Sequence, residues 1–221
     1  MLANDLLSQY IPAVTDSDTI RVALESMSEL GVSHLPYLRG SEYEGLVAKS
    51  DLGEISESDS TLAEESLSPI KVSVIDNQHI YEVIELITRY DLSILPVLSA
   101  SNAYKGSITL RELVRSFSLL TGAGQPGAIL VLSMAPQDYS PTILSRIIEE
   151  NNAKILSLYA GPDPNGRELT VTIKVNTQET SSIMRTFDRY GYSVRSYFLA
   201  NSQLDDFYRS RYEEFMKYMN I

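Results

Sequence analysis

The chain has 221 residues, 43% of them hydrophobic and 21% charged, which is enough for one or two hydrophobic cores of ordinary size. Its net charge of −11 argues against a nucleic-acid-binding surface, because contact with phosphates needs clustered Lys and Arg. The absence of cysteine excludes disulfides, thiolate nucleophiles and cysteine-based metal sites, and we expect no metal centre. No stretch is apolar for long enough to cross a bilayer, and the first residues lack the features of a signal peptide, so we expect a cytoplasmic protein.

The first 120 residues contain one pattern twice. Three landmark residues of the first copy recur sixty positions later, as the pairs Asp16 and Asp76, Ile20 and Ile80, and Pro36 and Pro96. Each copy predicts an amphipathic helix, because its apolar residues recur at steps of three and four. These residues are Ile20, Ala23, Leu24, Met27 and Leu30 in the first copy, and Ile80, Val83, Ile84, Ile87 and Tyr90 in the second. The candidates for the helix N-caps are the polar residues just ahead, Asp16–Asp18 and Asp76–Asn77.

Two strands and a second helix follow in each copy. The first strand contains Leu-Pro ("VSHLPYL" and "LSILPVL"), the second follows a polar turn ("EGLVA" and "KGSIT"), and the helix is clearest in "LRELVRSFSLL". Each copy is therefore predicted to be a βαββα unit, with repeat one at about 1–60 and repeat two at about 61–120. Because neither copy alone closes a core, we predict a duplicated pair related by pseudo-twofold symmetry.

A glycine-rich segment, 121–127, separates these repeats from the rest of the chain. Gly122, Gly124 and Gly127 have the spacing of a dinucleotide-binding fingerprint. That fingerprint must follow a strand and open a helix, whereas this segment follows a helix and precedes the strand-like "AILVLSM". We interpret it as a linker between domains.

Residues 128–200 predict a second domain with the element order βαββαβ, a ferredoxin-like arrangement. Asn165-Gly166 is a strong signal for a hairpin between its second and third strands. Residues 201–221 predict an amphipathic helix that packs on its own chain or on a sister subunit. The apolar residues along one side of that helix are Leu204, Phe207, Tyr208, Tyr212, Phe215, Met216 and Met219.

The duplicated pattern resembles a tandem pair of cystathionine-β-synthase (CBS) domains, and the second domain resembles an ACT domain. The order of the two resembles the architecture of the acetoin-utilisation AcuB type of protein. The fold class that follows is α+β: a CBS pair with a C-terminal ferredoxin-like, ACT-like domain. The resemblance implies a regulatory protein that binds an adenine-containing ligand, such as AMP, ATP or S-adenosylmethionine.

The resemblance also implies which residues would line two ligand clefts. In cleft two it implies a hydroxyl before the first helix, backbone groups before Leu-Pro, and a hydroxyl and a carboxylate after the second strand. The residues at or beside these positions are Ser73, Leu92, Ser93, Ile94, Pro96, Thr109, Arg111 and Glu112. A carboxylate suits a ribose diol, and a hydroxyl at a helix N-terminus suits a phosphate.

Cleft one keeps fewer of these features. Ala13 and Ala48 stand where cleft two has hydroxyls, and Glu112 of cleft two stands where the family, like cleft one, has Asp. The residues that the resemblance implies for cleft one are Val32, Ser33, His34, Pro36, Lys49 and Asp51. In the ACT-like domain, Asp138 and Thr142 mark the loop that would meet an amino acid, and Thr142 stands where the family has Gly.

No catalytic motif is present, so we expect a protein that is not an enzyme. We expect a homodimer whose partner is a regulated enzyme or another protein, with no nucleic acid or membrane involved. Two hypotheses stay open: a sensor of an adenine-containing ligand, and a ligand-free module for dimerisation and partner docking.

Overall fold

The structure is a computed structural model that describes residues 1–8, 11–55 and 59–199. The chain divides into two compact units, Met1–Phe117 and Ser118–Ile221, and each has its own hydrophobic core. The helix predicted for 201–221 lies outside the described residues. Within the described parts of the chain, no helix combines the length and the hydropathy that a membrane span requires.

The first unit contains two βαββα repeats, as predicted. Repeat one consists of β1 (Val14–Thr15), α1 (Ile20–Leu30), β2 (His34–Arg39), β3 (Glu42–Ala48) and α2 (Lys49–Gly53). Repeat two consists of β4 (Val74–Ile75), α3 (Ile80–Tyr90), β5 (Ile94–Leu98), β6 (Tyr104–Thr109) and α4 (Leu110–Thr121). The apolar faces of α1 and α3 join one shared core, because Ile20, Met27, Ile80 and Ile87 are all buried in it.

Each repeat has a three-stranded sheet with the same pairing. The strand orders are β1-β2-β3 and β4-β5-β6, in which the first pair is parallel and the second antiparallel. A register shift follows Tyr37 in the first sheet and Val97 in the second, and the residues opposite them are Gly45 and Gly106. Their φ angles of +151° and +144° are ones that glycine adopts without strain, which explains why both copies carry Gly in the second strand.

The helix N-caps are one to three residues later than the sequence pattern predicts. Thr19 caps α1 by accepting the Val22 N–H, and His79 caps α3. The predictions of Asp16–Asp18 as the cap of α1 and of Asp76–Asn77 as the cap of α3 are therefore wrong. Asp18 instead accepts the Thr15 N–H at 2.6 Å, so its carboxylate closes the turn that leads into the helix.

Each repeat forms backbone hydrogen bonds with the segment that precedes the other repeat in the sequence. The N-terminal 3₁₀ turn, Ala3–Leu6, packs in the shared core, and the Ser8 N–H then donates to the Ser107 carbonyl of repeat two at 2.9 Å. Conversely, Ile70 from the connection between the repeats exchanges two backbone hydrogen bonds with Leu46 of repeat one. The two repeats therefore fold as one unit, in agreement with the prediction that neither closes a core alone.

The second unit is ferredoxin-like. Its elements are β7 (Ala128–Met134), α5 (Pro141–Glu150), β8 (Ile155–Pro162), β9 (Leu169–Val175), α6 (Ser181–Arg189) and β10 (Ser193–Leu199). They form an antiparallel sheet in the order β10-β7-β9-β8, and α5 and α6 pack on it through Leu144, Ile147 and Phe187. The turn between β8 and β9 contains Gly166 at a φ of +68°, so the Asn165-Gly166 hairpin is confirmed.

Candidate functional site

The first unit contains an open cavity of about 730 Å³ at the start of α4. Four of the residues predicted for cleft two line it: Ser93, Thr109, Arg111 and Glu112. Thr109 is the last residue of β6, and Arg111 and Glu112 belong to the first turn of α4. This cavity is called cleft two below.

The opposite wall of cleft two comes from repeat one and from the N-terminal segment. The residues that contribute to this wall are Ser8, Ile11, Glu29, Leu30, Gly31 and Val32. Val32, which was predicted for cleft one, lies in the lining of cleft two, because the end of α1 contributes to the same cavity as the motif of the other repeat. The sequence reasoning treated each cleft as the product of a single repeat, and so it missed Glu29 and Ser8.

Thr109 and Glu112 have structural partners within cleft two. The Glu112 N–H donates to Thr109 Oγ1 at 3.2 Å, so the Thr109 hydroxyl caps α4. Glu112 also lies 3.8 Å from the guanidinium of Arg115, which is another residue of the lining. The Arg115 side chain of this pair is largely exposed, so solvent screens the pair, and the half-buried Glu112 carboxylate can still accept hydrogen bonds from a ligand.

The remaining residues predicted for cleft two contribute to the fold around it. Leu92 and Ile94 belong to the hydrophobic core, and Pro96 is buried in β5. Ile94 pairs with Thr109 in the antiparallel ladder, which fixes the position of Thr109 at the cavity. Ser73 is half-buried just ahead of β4.

Cleft one has a different character. Lys49 and Asp51 lie on the short helix α2, where Ala48 provides no side-chain cap. Lys49 Nζ donates to Ser28 Oγ at 3.1 Å. Asp51 lines a smaller cavity, of about 300 Å³, together with the acidic residues Glu54 and Glu65. Pro36 is buried in β2, as Pro96 is in β5.

Ser33, His34 and Ser93 meet between the two repeats. The Ser33 N–H donates to Ser93 Oγ at 3.0 Å, and the Ser93 N–H donates to His34 Nδ1 at 3.3 Å. Because a backbone N–H can only donate, Nδ1 carries no proton and the neutral imidazole is protonated at Nε2. Burial lowers the pKa of His34, and the carboxylates of Asp91 and Asp51 oppose that shift by a smaller amount. His34 is therefore neutral at pH 7.

In the second unit, the loop between β7 and α5 is held by contacts within the fold. Ser140 caps α5 by accepting the Ile143 N–H, and the Tyr192 hydroxyl donates to the Asp138 carbonyl at 3.1 Å. The side chains of Asp138 and Thr142 are exposed. Their role in binding an amino acid stays a prediction. Among the residues that the structure describes, no three His, Asp or Glu side chains are grouped as a metal site would require.

These features define a class of protein: a duplicated α+β pair that frames a polar cavity, with a ferredoxin-like unit later in the chain. The pair belongs to the CBS domain family, because the family model of the CBS domain matches residues 3–56 and 68–119. The predicted tandem CBS pair is therefore confirmed.

Solved structures that resemble this chain include other proteins with CBS domains. A CBS domain pair/ACT domain protein from Thermotoga maritima is 22% identical over 53% of this chain and 96% of its own, with a TM-score of 0.48. CBSX2, solved in complex with AMP, is 23% identical over 52% of this chain and 95% of its own, with a TM-score of 0.45. The cytosolic domain of the Mg²⁺ channel MgtE, solved with ATP, is 20% identical over 50% of this chain and 46% of its own, with a TM-score of 0.42.

Proposed function

We propose that this chain is a non-catalytic regulatory protein that binds an adenine-containing ligand, such as AMP, ATP or S-adenosylmethionine, in cleft two. The observation that carries the proposal is that one cavity at the N-terminus of α4 gathers hydroxyls, carboxylates and guanidiniums, among them those of Thr109, Glu112 and Arg111. Glu112 would accept hydrogen bonds from the ribose diol, and Arg111 with the start of α4 would meet an anionic group. Ser73 would be a more distant contributor, through the strand that pairs with β5.

The lining of cleft two suggests how binding would be transmitted. A ligand there would contact the end of α1 in repeat one and the start of α4 in repeat two. If it bound one arrangement of the two repeats better than another, it would shift the equilibrium between them. Because α4 starts at the cavity and its last residues belong to the second unit, the helix is a continuous segment that links cleft two to that unit.

The test is calorimetric titration of AMP, ATP and S-adenosylmethionine into the purified chain and two matched variants. Glu112→Ala removes the carboxylate of cleft two, and Asp51→Ala removes its counterpart in cleft one. We expect the parent chain to bind with micromolar affinity, which corresponds to about −8 kcal/mol. Glu112→Ala should weaken this affinity at least tenfold, and Asp51→Ala should leave it unchanged. Absence of heat with all three ligands, from protein shown to be folded, would contradict the proposal.

A second candidate function, dimerisation and partner docking without a ligand, is favoured by the surface of α4. Leu110, Val114 and Phe117 recur at steps of four and three, so they share one face of the helix, and all three are exposed. Val114 is 67% exposed, and adjacent exposed apolar side chains are typical of surfaces that bind a partner. We propose that a second copy of the chain covers this face in a homodimer.

Sedimentation of a Val114→Glu variant tests the dimer. The matched control is Tyr81→Glu, since Tyr81 is an apolar side chain of α3 with a similar exposure of 64%. We expect Val114→Glu to shift the chain to a monomer at concentrations where the parent and the control remain dimeric. A dimer unaffected by Val114→Glu would place the interface elsewhere. We propose a cytoplasmic setting, with which the absence of cysteine agrees.

A further inference from the structure

Cleft two carries charges of both signs. Its lining contains two carboxylates, Glu29 and Glu112, and two guanidiniums, Arg111 and Arg115. Glu112 and Arg115 pair with each other at 3.8 Å. Within the described residues, neither Glu29 nor Arg111 has an ion-pair partner within 4.0 Å. Glu29 and Arg111 are thus the carboxylate and the guanidinium of the lining that have no ion-pair partner among the described residues.

We propose that Glu29 is a specificity-determining residue that makes cleft two discriminate against polyphosphate ligands. The inference rests on the proposed function of cleft two, and it narrows the ligand to an adenosine derivative with one phosphate or with a zwitterionic group. Such a ligand can place a single anionic group at Arg111 and keep a hydrogen-bond donor near Glu29. A triphosphate must bring further negative charge into a cavity whose lining has no excess of positive charge.

The position of Glu29 supports a role in selecting the charge of the ligand. Glu29 is the second-last residue of α1, and its side chain is exposed at the cavity rather than packed in the core. Sixty positions later, repeat two has Arg89, which is paired with Glu85 on its own helix. The two repeats therefore carry opposite charges at equivalent places, so neither the repeat pattern nor the packing of the helix requires a carboxylate at this site.

The size of the effect follows from Coulomb's law. Two unit charges about 8 Å apart in a solvent-exposed cleft change an affinity by roughly two- to threefold. ATP carries roughly two more negative charges than AMP at neutral pH, so Glu29 would weaken ATP relative to AMP by on the order of fivefold. Salt screens this interaction, and the effect should be largest at low ionic strength.

The experiment compares AMP, ATP and S-adenosylmethionine by calorimetry, without divalent cations and at low salt, in the parent chain and in two variants. Glu29→Gln removes the charge at the cavity. Glu25→Gln removes the same charge from an exposed position one turn earlier on α1, outside the lining of cleft two. We expect the parent and Glu25→Gln to prefer AMP and S-adenosylmethionine over ATP, and Glu29→Gln to reduce the preference for AMP over ATP by about fivefold.

The outcomes separate this inference from the proposed function. If AMP and ATP bind equally well to the parent, or if Glu29→Gln leaves their ratio unchanged, adenosine binding stands and the role of Glu29 is overturned. If none of the three ligands binds to any of the folded proteins, the proposed function fails and the inference fails with it. An equal change of the ratio in Glu25→Gln would also overturn the inference, because it would show a general effect of net charge.

Discussion

In each repeat, a helix begins directly after the second strand of the antiparallel pair, at cleft one in repeat one and at cleft two in repeat two. The two helices nevertheless differ in length. Cleft two has Thr109, whose hydroxyl caps α4, a helix of 12 residues. Cleft one has Ala48, which gives no side-chain cap to α2, a helix of five residues. A helix N-terminus with a side-chain cap is therefore a feature of cleft two. The duplicated scaffold has been kept in both copies, and the polar groups that could bind a ligand are concentrated in one.

The charges around the two clefts differ as well. The cavity of cleft two combines two carboxylates with two guanidiniums. Among the described residues, the lining of the cavity beside Asp51 contains Glu54 and Glu65 and no basic side chain. An anionic ligand would be repelled by that acidic lining. The comparison indicates that cleft two is the site at which ligand binding should be sought, and that cleft one serves as its internal control.

The largest expected effect comes from truncating a buried side chain of the N-terminal segment, which contributes Ser8 to the lining of cleft two. Leu6 is 1% exposed and packs in the shared core, two residues before Ser8 of the lining. We expect Leu6→Ala to lower the free energy of unfolding of the first unit by about 3 kcal/mol, through lost burial and a residual cavity. Urea denaturation followed by far-UV circular dichroism measures this loss.

Leu2→Ala is the matched control for that variant. Leu2 precedes the same 3₁₀ turn, but its side chain is 42% exposed, so we expect a change below about 0.5 kcal/mol. Similar losses in the two variants would contradict the view that the N-terminal segment is an integral wall of cleft two.

A smaller effect is expected at the cap of α4. Thr109→Ala should cost about 1 kcal/mol of stability, since the Glu112 N–H loses its acceptor, whereas Thr109→Asn should keep the cap. Chemical denaturation of the three proteins tests this. If Thr109→Ala were as stable as the parent, the capping bond would not explain why α4 is longer than α2.

The fold could be predicted from the sequence to a large extent, because its signals are local. The sixty-residue offset and the apolar steps of three and four placed α1 and α3 correctly, and Asn165-Gly166 placed a hairpin. The hydrogen bond from the Ser8 N–H to repeat two could not be predicted, because it depends on the packing of residues about one hundred positions apart. The same packing brings Glu29 to the motif of the other repeat.

The candidate site was predicted less completely. Thr109, Arg111 and Glu112 are neighbours in sequence, so a motif on a strand end and a helix start was enough to group them. Val32 was predicted for cleft one and lies in the lining of cleft two, since a repeat alignment states which residues are equivalent and not which residues line the same cavity. His34 has an apolar counterpart, Ile94, and its hydrogen bonds to repeat two become visible only in three dimensions.

The smallest expected effect is a pH dependence of stability that His34 contributes. His34 is 9% exposed, and burial holds its pKa below the value of about 6.5 that it has in an unfolded chain. As the pH falls through 6.5, the unfolded chain takes up a proton while the folded chain does not, so the free energy of unfolding decreases. The decrease ends below the folded pKa, where both states are protonated. Stability from the neutral imidazole is therefore fully present above pH 6.5.

His34→Ile, which copies Ile94 of repeat two, should remove this part of the pH dependence. By the pseudo-symmetry of the repeats, Ser33 Oγ can then accept the Ser93 N–H, as Ser93 Oγ already accepts the Ser33 N–H at 3.0 Å. Urea denaturation at pH 7.5 and pH 5.5 should show a smaller difference between the two pH values in His34→Ile than in the parent. The control is His79→Asn, which keeps a residue suited to the N-cap of α3 and leaves the His34 contacts in place. An unchanged pH difference in His34→Ile would show that protonation of His34 is not resisted by its burial between the repeats.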